Sequence, residues 1–150
     1  MMDCREDGPL TSTMEDYLET IWIIACKEGV VRQKDISARM NVTPPTVNAA
    51  MKCLKKRNLI KQESYGYIKL TSEGKKIARN IQKRHRLLVK FLKEILGVES
   101  RIAQKDACRL EHCISSRTMD RLVRFLDFVD AYAGKGEAQW LKTFHASFAD

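Results

Sequence analysis

The sequence has no apolar run of the roughly 18 to 20 residues that a membrane span requires; the cluster "IWIIAC" is soon followed by "KEG". Its first residues, "MMDCREDGPLTST", are acidic and lack an apolar centre, which excludes a signal peptide and makes the cytoplasm the expected compartment. There is no C-x-x-C pair, and the cysteines (Cys4, Cys26, Cys53, Cys108, Cys113) are odd in number. Both facts argue against a disulfide framework and against a zinc ribbon. Cys108 and Cys113 cannot bridge within one helix, because five residues of rise separate their Cα atoms by roughly 8 to 9 Å. All five are therefore expected as reduced thiols. No nucleophile elbow, phosphate loop or H-E-x-x-H is present, so an enzyme is not expected. Internal repeats and low-complexity segments are absent as well.

Acid is scarce where base is dense. Residues 32–93 hold 17 lysines and arginines against Asp35, Glu63 and Glu73, a local charge of +14, while the flanks are net acidic and bring the chain to +8. Such a basic middle is either the footprint of a polyanion-binding lobe or a set of solvated helix faces. With 150 residues, 44% hydrophobic and 31% charged, the chain is an ordinary globular protein with one core or two small lobes.

Helical periodicity organises that middle. Ser12 and Glu15 form a capping-box pattern opening "MEDYLETIWIIACKEG", a helix that stops at Gly29. Its apolar stripe leaves Asp16 and Glu19 together on a different face. "VVRQKDISARM" is short and amphipathic. "NVTPPTVNAAMKCLKKRNL" follows, with Thr43 as cap and prolines at the first helical positions, where a missing N–H costs least. Val47, Met51 and Leu54 face inward; Thr46, Asn48, Ala49 and Lys52 look outward. "IKQESYGYIKL" reads as two short strands around a Gly66 turn. Three helices and a basic hairpin make a winged helix-turn-helix, whose third helix enters the major groove while the hairpin grips phosphates. Such domains also serve as protein-interaction modules; the excess positive charge favours DNA.

Thr71 caps a long helix, "SEGKKIARNIQKRHRLLVKFLKEIL", in which His85 takes a slot reserved for an apolar residue. A further helix spans roughly 99 to 114, burying Ala103, Ala107, Leu110 and Ile114. The next, capped by Ser115 or Ser116, carries Met119, Leu122, Val123, Phe125, Leu126 and Val129. It is too apolar for an exposed surface, and is either a dimer seam with the helix before it or intrachain core. The tail "EAQWLKTFHASF" suits a short helix. Cys108, Glu111 and His112, at i, i+3 and i+4, are expected on one face opposite their helix's apolar stripe. With Asp16, Glu19 and His85 they offer six oxygen, nitrogen and sulfur donors on three helices. Beside a helix-turn-helix, that set points to a metal-sensing regulator.

The motifs "MEDYLETIW", "PPTVNAAMKCL", "GYIKLTSEGKKIA", "RHRLL" and "ACRLEH" lie in the order and spacing of a known family. The chain resembles, over about residues 14–130, the metal-dependent repressors that include the diphtheria toxin repressor and the manganese transport regulator. The resemblance implies a mainly α fold: an N-terminal winged helix-turn-helix joined by the long helix to an all-helical dimerisation domain. The expected division is an arm at 1–13, the DNA-binding domain at 14–72, the metal-binding and dimerisation domain at 73–135 and a tail at 136–150. The additional C-terminal SH3-like domain of some members is expected to be absent, as in the manganese branch.

Carried over position by position, the resemblance implies Asp16, His85, Cys108, Glu111 and His112 as metal ligands, with Glu19 as the manganese branch uses it. Asp16 is manganese-type and Cys108 iron-type. Val89 replaces a glutamate of the pattern and Gln104 a histidine of the iron-type members, which puts a second metal site in doubt. Carboxylates and imidazole suit Mn(II) and Fe(II), whereas a thiolate pulls toward Fe(II), Co(II), Ni(II) or Zn(II); Mn(II) or Fe(II) is the expectation. Resemblance and geometry agree on Thr43, Pro45, Thr46 and Asn48 as groove-facing, with Lys52, Lys61 and Lys69 as phosphate contacts. The function implied is a homodimeric repressor of metal-uptake genes that binds double-stranded operator DNA when loaded with metal, with no membrane and no small organic substrate. A thiol-based redox regulator using Cys108 or Cys113, and a small metalloenzyme, are the alternatives.

Overall fold

The computed structural model describes residues 8–133 and 139–148; the parts of the expected arm and tail at 1–7, 136–138 and 149–150 lie outside the described residues. The element order is α1 (Ser12–Glu28), α2 (Gln33–Met40), α3 (Pro44–Lys56), β1 (Ile60–Gln62), β2 (Ile68–Leu70), α4 (Ser72–Lys90), α5 (Ser100–Leu110), α6 (Ser116–Ala133) and α7 (Gln139–Ala146). The chain divides into two compact units, Met1–Gln82 and Lys83–Asp150, and α4 runs through the division.

The first unit is the winged helix-turn-helix. Met14, Tyr17, Leu18, Ile21 and Ile24 recur at helical spacing along α1 and are buried with Ile36 of α2, and Val47, Met51 and Leu54 of α3. The cap of α1 is Thr11 rather than Ser12: Thr11 is extended, and its side-chain oxygen accepts the Met14 N–H at 3.3 Å. The helix thus begins one residue earlier than the Ser12–Glu15 pattern suggests, with Met14 at the position that bonds back to the cap. Gly29, at φ 73°, ends it in the left-handed conformation. Thr43 occupies the N-cap position of α3 in extended conformation, its hydroxyl turned to that of Thr46 rather than to a backbone N–H, with Pro44 and Pro45 in the first turn.

The hairpin pairs Ile60 with Leu70, Lys61 with Lys69 and Gln62 with Ile68. Alternation places Ile60, Ile68 and Leu70 in the core and both lysines in solvent. Tyr65 (φ 68°) and Gly66 (φ 76°) turn the chain, and Tyr65 is left 94% exposed at the tip. The Ile68 N–H donates to the Val31 carbonyl at 2.9 Å, fastening the wing to the segment before α2. Beside it the Arg32 guanidinium donates to the Tyr67 hydroxyl at 2.9 Å and lies 5.0 Å from that ring's centroid. Thr71 caps α4 as expected, accepting the Gly74 N–H at 3.1 Å. Gly74 itself packs so closely that an added Cβ would lie 2.1 Å from the Leu59 carbonyl oxygen.

In the second unit the expected long helix does not run on as regular α-helix. It gives way after Lys90 to a π-helical turn, Phe91–Ile95, closed by the Leu96 N–H on the Phe91 carbonyl. Leu88 and Leu92 pack with Ala103 and Ala107 of α5 and Met119 of α6, while Ile95 packs with Leu126 and Val129. Helix α5 stops at Leu110, short of the expected 114, with Glu111 as its cap residue. Ser115 caps α6 by accepting the Thr118 N–H at 3.2 Å. In α7, the expected tail helix, His145 Nε2 approaches the Ile95 carbonyl at 3.0 Å. No described helix is long and apolar enough to cross a membrane.

Candidate functional site

Glu111 is the second unit's most unusual residue. Ala103, Ala107 and Glu111 are spaced i, i+4, i+8, so the carboxylate continues the buried stripe of α5 instead of standing opposite it. This corrects the expected placement. Cys108 is exposed, His112 half-buried, and Glu111 only 1% exposed. Its Oε2 lies 2.7 Å from His85 Nδ1, and its Oε1 3.4 Å from His112 Nε2. That second approach is not a hydrogen bond, and Oε1 is buried with no hydrogen-bonding partner among the described residues. The other face of His85 is held too: Nε2 lies 3.0 Å from the Gln104 side-chain oxygen.

A carboxylate taken out of water costs several kcal/mol unless positive charge compensates it. Two of the groups closest to Glu111 are the imidazoles of His85 and His112, and neither brings a fixed positive charge. The arrangement therefore calls for a cation, either a proton on a histidine or a metal ion shared by the carboxylate and the imidazoles. Oxygen and nitrogen donors of this kind, with the Cys108 thiol one turn before Glu111, fit a divalent transition metal. The scaffold is braced at the same point by Arg84, which donates to the Glu111 carbonyl and to Ser116 Oγ, both at 3.3 Å, tying the end of α5 to the start of α6. The sequence reading missed Arg84 and the contact made by Gln104. The signal for the first was a basic residue available to a helix C-terminus.

Asp16 and Glu19 lie in the first unit on α1, one turn apart and both half-buried, on the face predicted for them. In the same unit α3 presents the expected surface. Thr43, Pro45, Thr46, Asn48, Ala49 and Lys52 are exposed, while Val47, Ala50, Met51 and Leu54 are buried. The Thr43 and Thr46 hydroxyls are bonded to each other at 2.9 Å. Lys61 and Lys69 sit directly across the hairpin on its solvent face, and Lys69 pairs with Glu63 at 2.8 Å. Two lysines in register repel, and one carboxylate neutralises only one of them.

The cysteines correct one expectation. Cys26, Cys108 and Cys113 carry no disulfide, but Cys53, buried in α3, is disulfide-bonded. An odd total of five cysteines leaves room for a pair that no C-x-x-C spacing announces.

A winged helix-turn-helix together with a helical lobe that holds a buried carboxylate in need of a cation is the plan of a metal-dependent winged-helix repressor. Residues 9–68 match the N-terminal DNA-binding domain of the iron-dependent repressors, and residues 71–135 their metal-binding and dimerisation domain. The transcriptional regulator MntR of Salmonella typhimurium is 36% identical over 112 residues, covering 75% of this chain and 71% of the relative. The HTH-type regulator MntR of Bacillus subtilis is 36% identical over 124 residues, covering 81% and 87%. Among solved structures, a manganese-dependent transcriptional repressor in complex with manganese superposes with a TM-score of 0.69 at 32% identity, covering 77% of this chain. The manganese regulator SloR does so with the same score at 29%. The chain spans about half the length of those two structures (53% and 54%). The chain belongs to the iron-dependent repressor family of metal-dependent transcriptional regulators.

Proposed function

We propose that this chain is a metal-dependent repressor that binds operator DNA as a homodimer when loaded with Mn(II) or Fe(II), and so controls metal-uptake genes. The observation that carries the reading is Glu111, a buried carboxylate with an unpartnered oxygen between two imidazoles. We assign the metal ligands as Asp16, Glu19, His85, Cys108, Glu111 and His112, on donor chemistry and on the likeness to manganese-dependent relatives. When bound, the ion supplies one Lewis-acidic centre for donors of α1 in the first unit and of α4, α5 and the turn after it in the second. The protein's own contribution is to hold those donors on rigid helices, so that filling the site favours one disposition of the DNA-binding units.

In the DNA complex, Thr43, Pro45, Thr46 and Asn48 face the major groove, and Lys52, Lys61 and Lys69 contact phosphate. Ala49 offers a base edge nothing beyond apolar contact with a thymine methyl. The paired lysines of the wing support this assignment, since an anion relieves their repulsion. A two-fold dimer sets two recognition helices about 34 Å apart for successive major-groove faces. Its seam is the surface of α5 and α6, where an apolar groove of about 510 Å³ opens beside Phe125 (39% exposed), with Phe128 and Tyr132 (both 55%) further along α6. The functional division is 14–72 for DNA and 73–135 for metal and dimer; the protein acts in the cytoplasm as a regulator, not an enzyme.

The test is fluorescence polarisation with a duplex selected from a random-sequence pool in the presence of Mn(II). Mn(II) or Fe(II) is expected to tighten binding by at least tenfold over chelator-treated protein. Equal affinity with chelator and with metal would remove the switch. Release of DNA by oxidant alone would favour a thiol-based regulator.

A further inference from the structure

The imidazole of His85 has two nitrogens, and only one can carry the lone pair that a metal ion takes. On α4 the ring stands between two oxygens, Glu111 Oε2 at 2.7 Å from Nδ1 and Gln104 Oε1 at 3.0 Å from Nε2. A neutral imidazole donates from one nitrogen and accepts at the other. The two oxygens are not equivalent. Glu111 is buried, carries the negative charge and has a second oxygen in want of a cation. Gln104 is exposed and uncharged, one turn before Cys108 on the same helix.

We propose that Gln104 is the positioning residue of the metal centre: its side-chain oxygen accepts the Nε2–H of His85, so that when metal is bound it is Nδ1, beside Glu111 Oε2, that offers its lone pair to the ion. The ligand atom of His85 is then Nδ1. An amide oxygen suits the task because it accepts without adding a second negative charge. Such an outer partner orients the ring and raises its basicity, and its loss costs metal affinity on the order of 10- to 100-fold. The inference rests on the metal reading given above and deepens it, since it names the atom through which His85 binds.

The probe is Zn(II), which is diamagnetic, titrated into the full chain labelled with ¹⁵N and observed through the histidine ring nitrogens. Wild type is expected to show His85 metallated at Nδ1, with a protected Nε2 proton. Gln104→Leu is expected to weaken Zn(II) binding 10- to 100-fold and to lose the protection of that proton. Gln104→Glu keeps an acceptor at the position and is expected to retain wild-type affinity within about threefold. Gln104 is exposed, so the unfolding temperature of the metal-free protein should not move in either variant. Zinc bound through Nε2 of His85, or bound as tightly by Gln104→Leu as by wild type, would overturn the assignment while leaving the metal centre standing. Wild type that binds no Zn(II) through His85 would overturn the metal centre itself.

Discussion

Replacing Glu111 by glutamine removes one charge and almost no volume, which isolates the electrostatic part of the site. In the metal-free protein two effects oppose each other. The 2.7 Å contact with His85 loses its charged partner, at a cost of about 1.5 to 3 kcal/mol. A buried carboxylate with one unpartnered oxygen disappears, a gain of about 1 to 3 kcal/mol. The net change is expected within about 1 kcal/mol of zero. Metal separates the variants. At a free concentration 100 times Kd, one Mn(II) stabilises wild type by about 2.7 kcal/mol, a rise of roughly 5 to 11 °C in Tm for a chain of this size. Differential scanning calorimetry with and without Mn(II) should show that rise in wild type and little of it in Glu111→Gln. A variant that keeps the full metal-dependent rise would refute the claim that Glu111 is a ligand. A metal-free variant losing more than about 4 kcal/mol would refute the claim that its charge is poorly compensated without metal.

Other perturbations test the frame around the site. Gly74→Ala drives a methyl group into the Leu59 carbonyl and is expected to cost about 2 to 4 kcal/mol in urea unfolding; a neutral substitution contradicts the packing. At the wing tip, Tyr65→Gly should be neutral or stabilising by up to about 1 kcal/mol, because Tyr65 is exposed at positive φ, whereas Tyr65→Val should destabilise; the order of the two midpoints decides. Lys61→Ala should lower the salt slope of operator binding, the plot of log K against log salt, by about 0.9; an unchanged slope removes Lys61 from the phosphate contacts. Lys90 is held above the ordinary lysine value chiefly by its hydrogen bond to Asp130. Because the folded value is raised, the pair's contribution is complete below about pH 10.4 and fades as pH climbs through the higher folded value. Half-exposed as Asp130 is, Asp130→Asn should cost only a few tenths of a kcal/mol at pH 7, less in high salt, and nothing once Lys90 is neutral.

Much of the DNA-binding unit could be read in the sequence, because its signals are local. The spacing of Val47, Met51 and Leu54 determined which face of α3 turns inward, and hence that Thr46, Asn48 and Lys52 turn out. Gly29, Gly66 and Thr71 marked ends and turns through their own backbone chemistry. What escaped depends on contacts distant in sequence or on a choice between neighbouring residues. Thr11 and Ser12 are equally good caps by type, and burial of Met14 accompanies the choice of the earlier one. The π-helical turn at Phe91–Ile95 leaves no mark in a pattern of apolar positions. Glu111 was misplaced for a plainer reason: the apolar stripe was carried from Ala107 to Leu110, three residues on, when the buried face continued four residues on. The candidate donors could nonetheless be picked out by type, whereas the two oxygens that flank His85 come into view only in the fold.

Coupling between metal and operator is the central claim, and linkage makes it measurable from the metal side. If Mn(II) tightens operator binding by some factor, the operator must tighten Mn(II) binding by the same factor. Isothermal titration of Mn(II) into the full chain, alone and saturated with its selected duplex, should give dissociation constants differing at least tenfold, by the ratio found in the DNA titrations. Identical Mn(II) affinities in the two titrations would show that metal and DNA ignore each other, and would contradict the account.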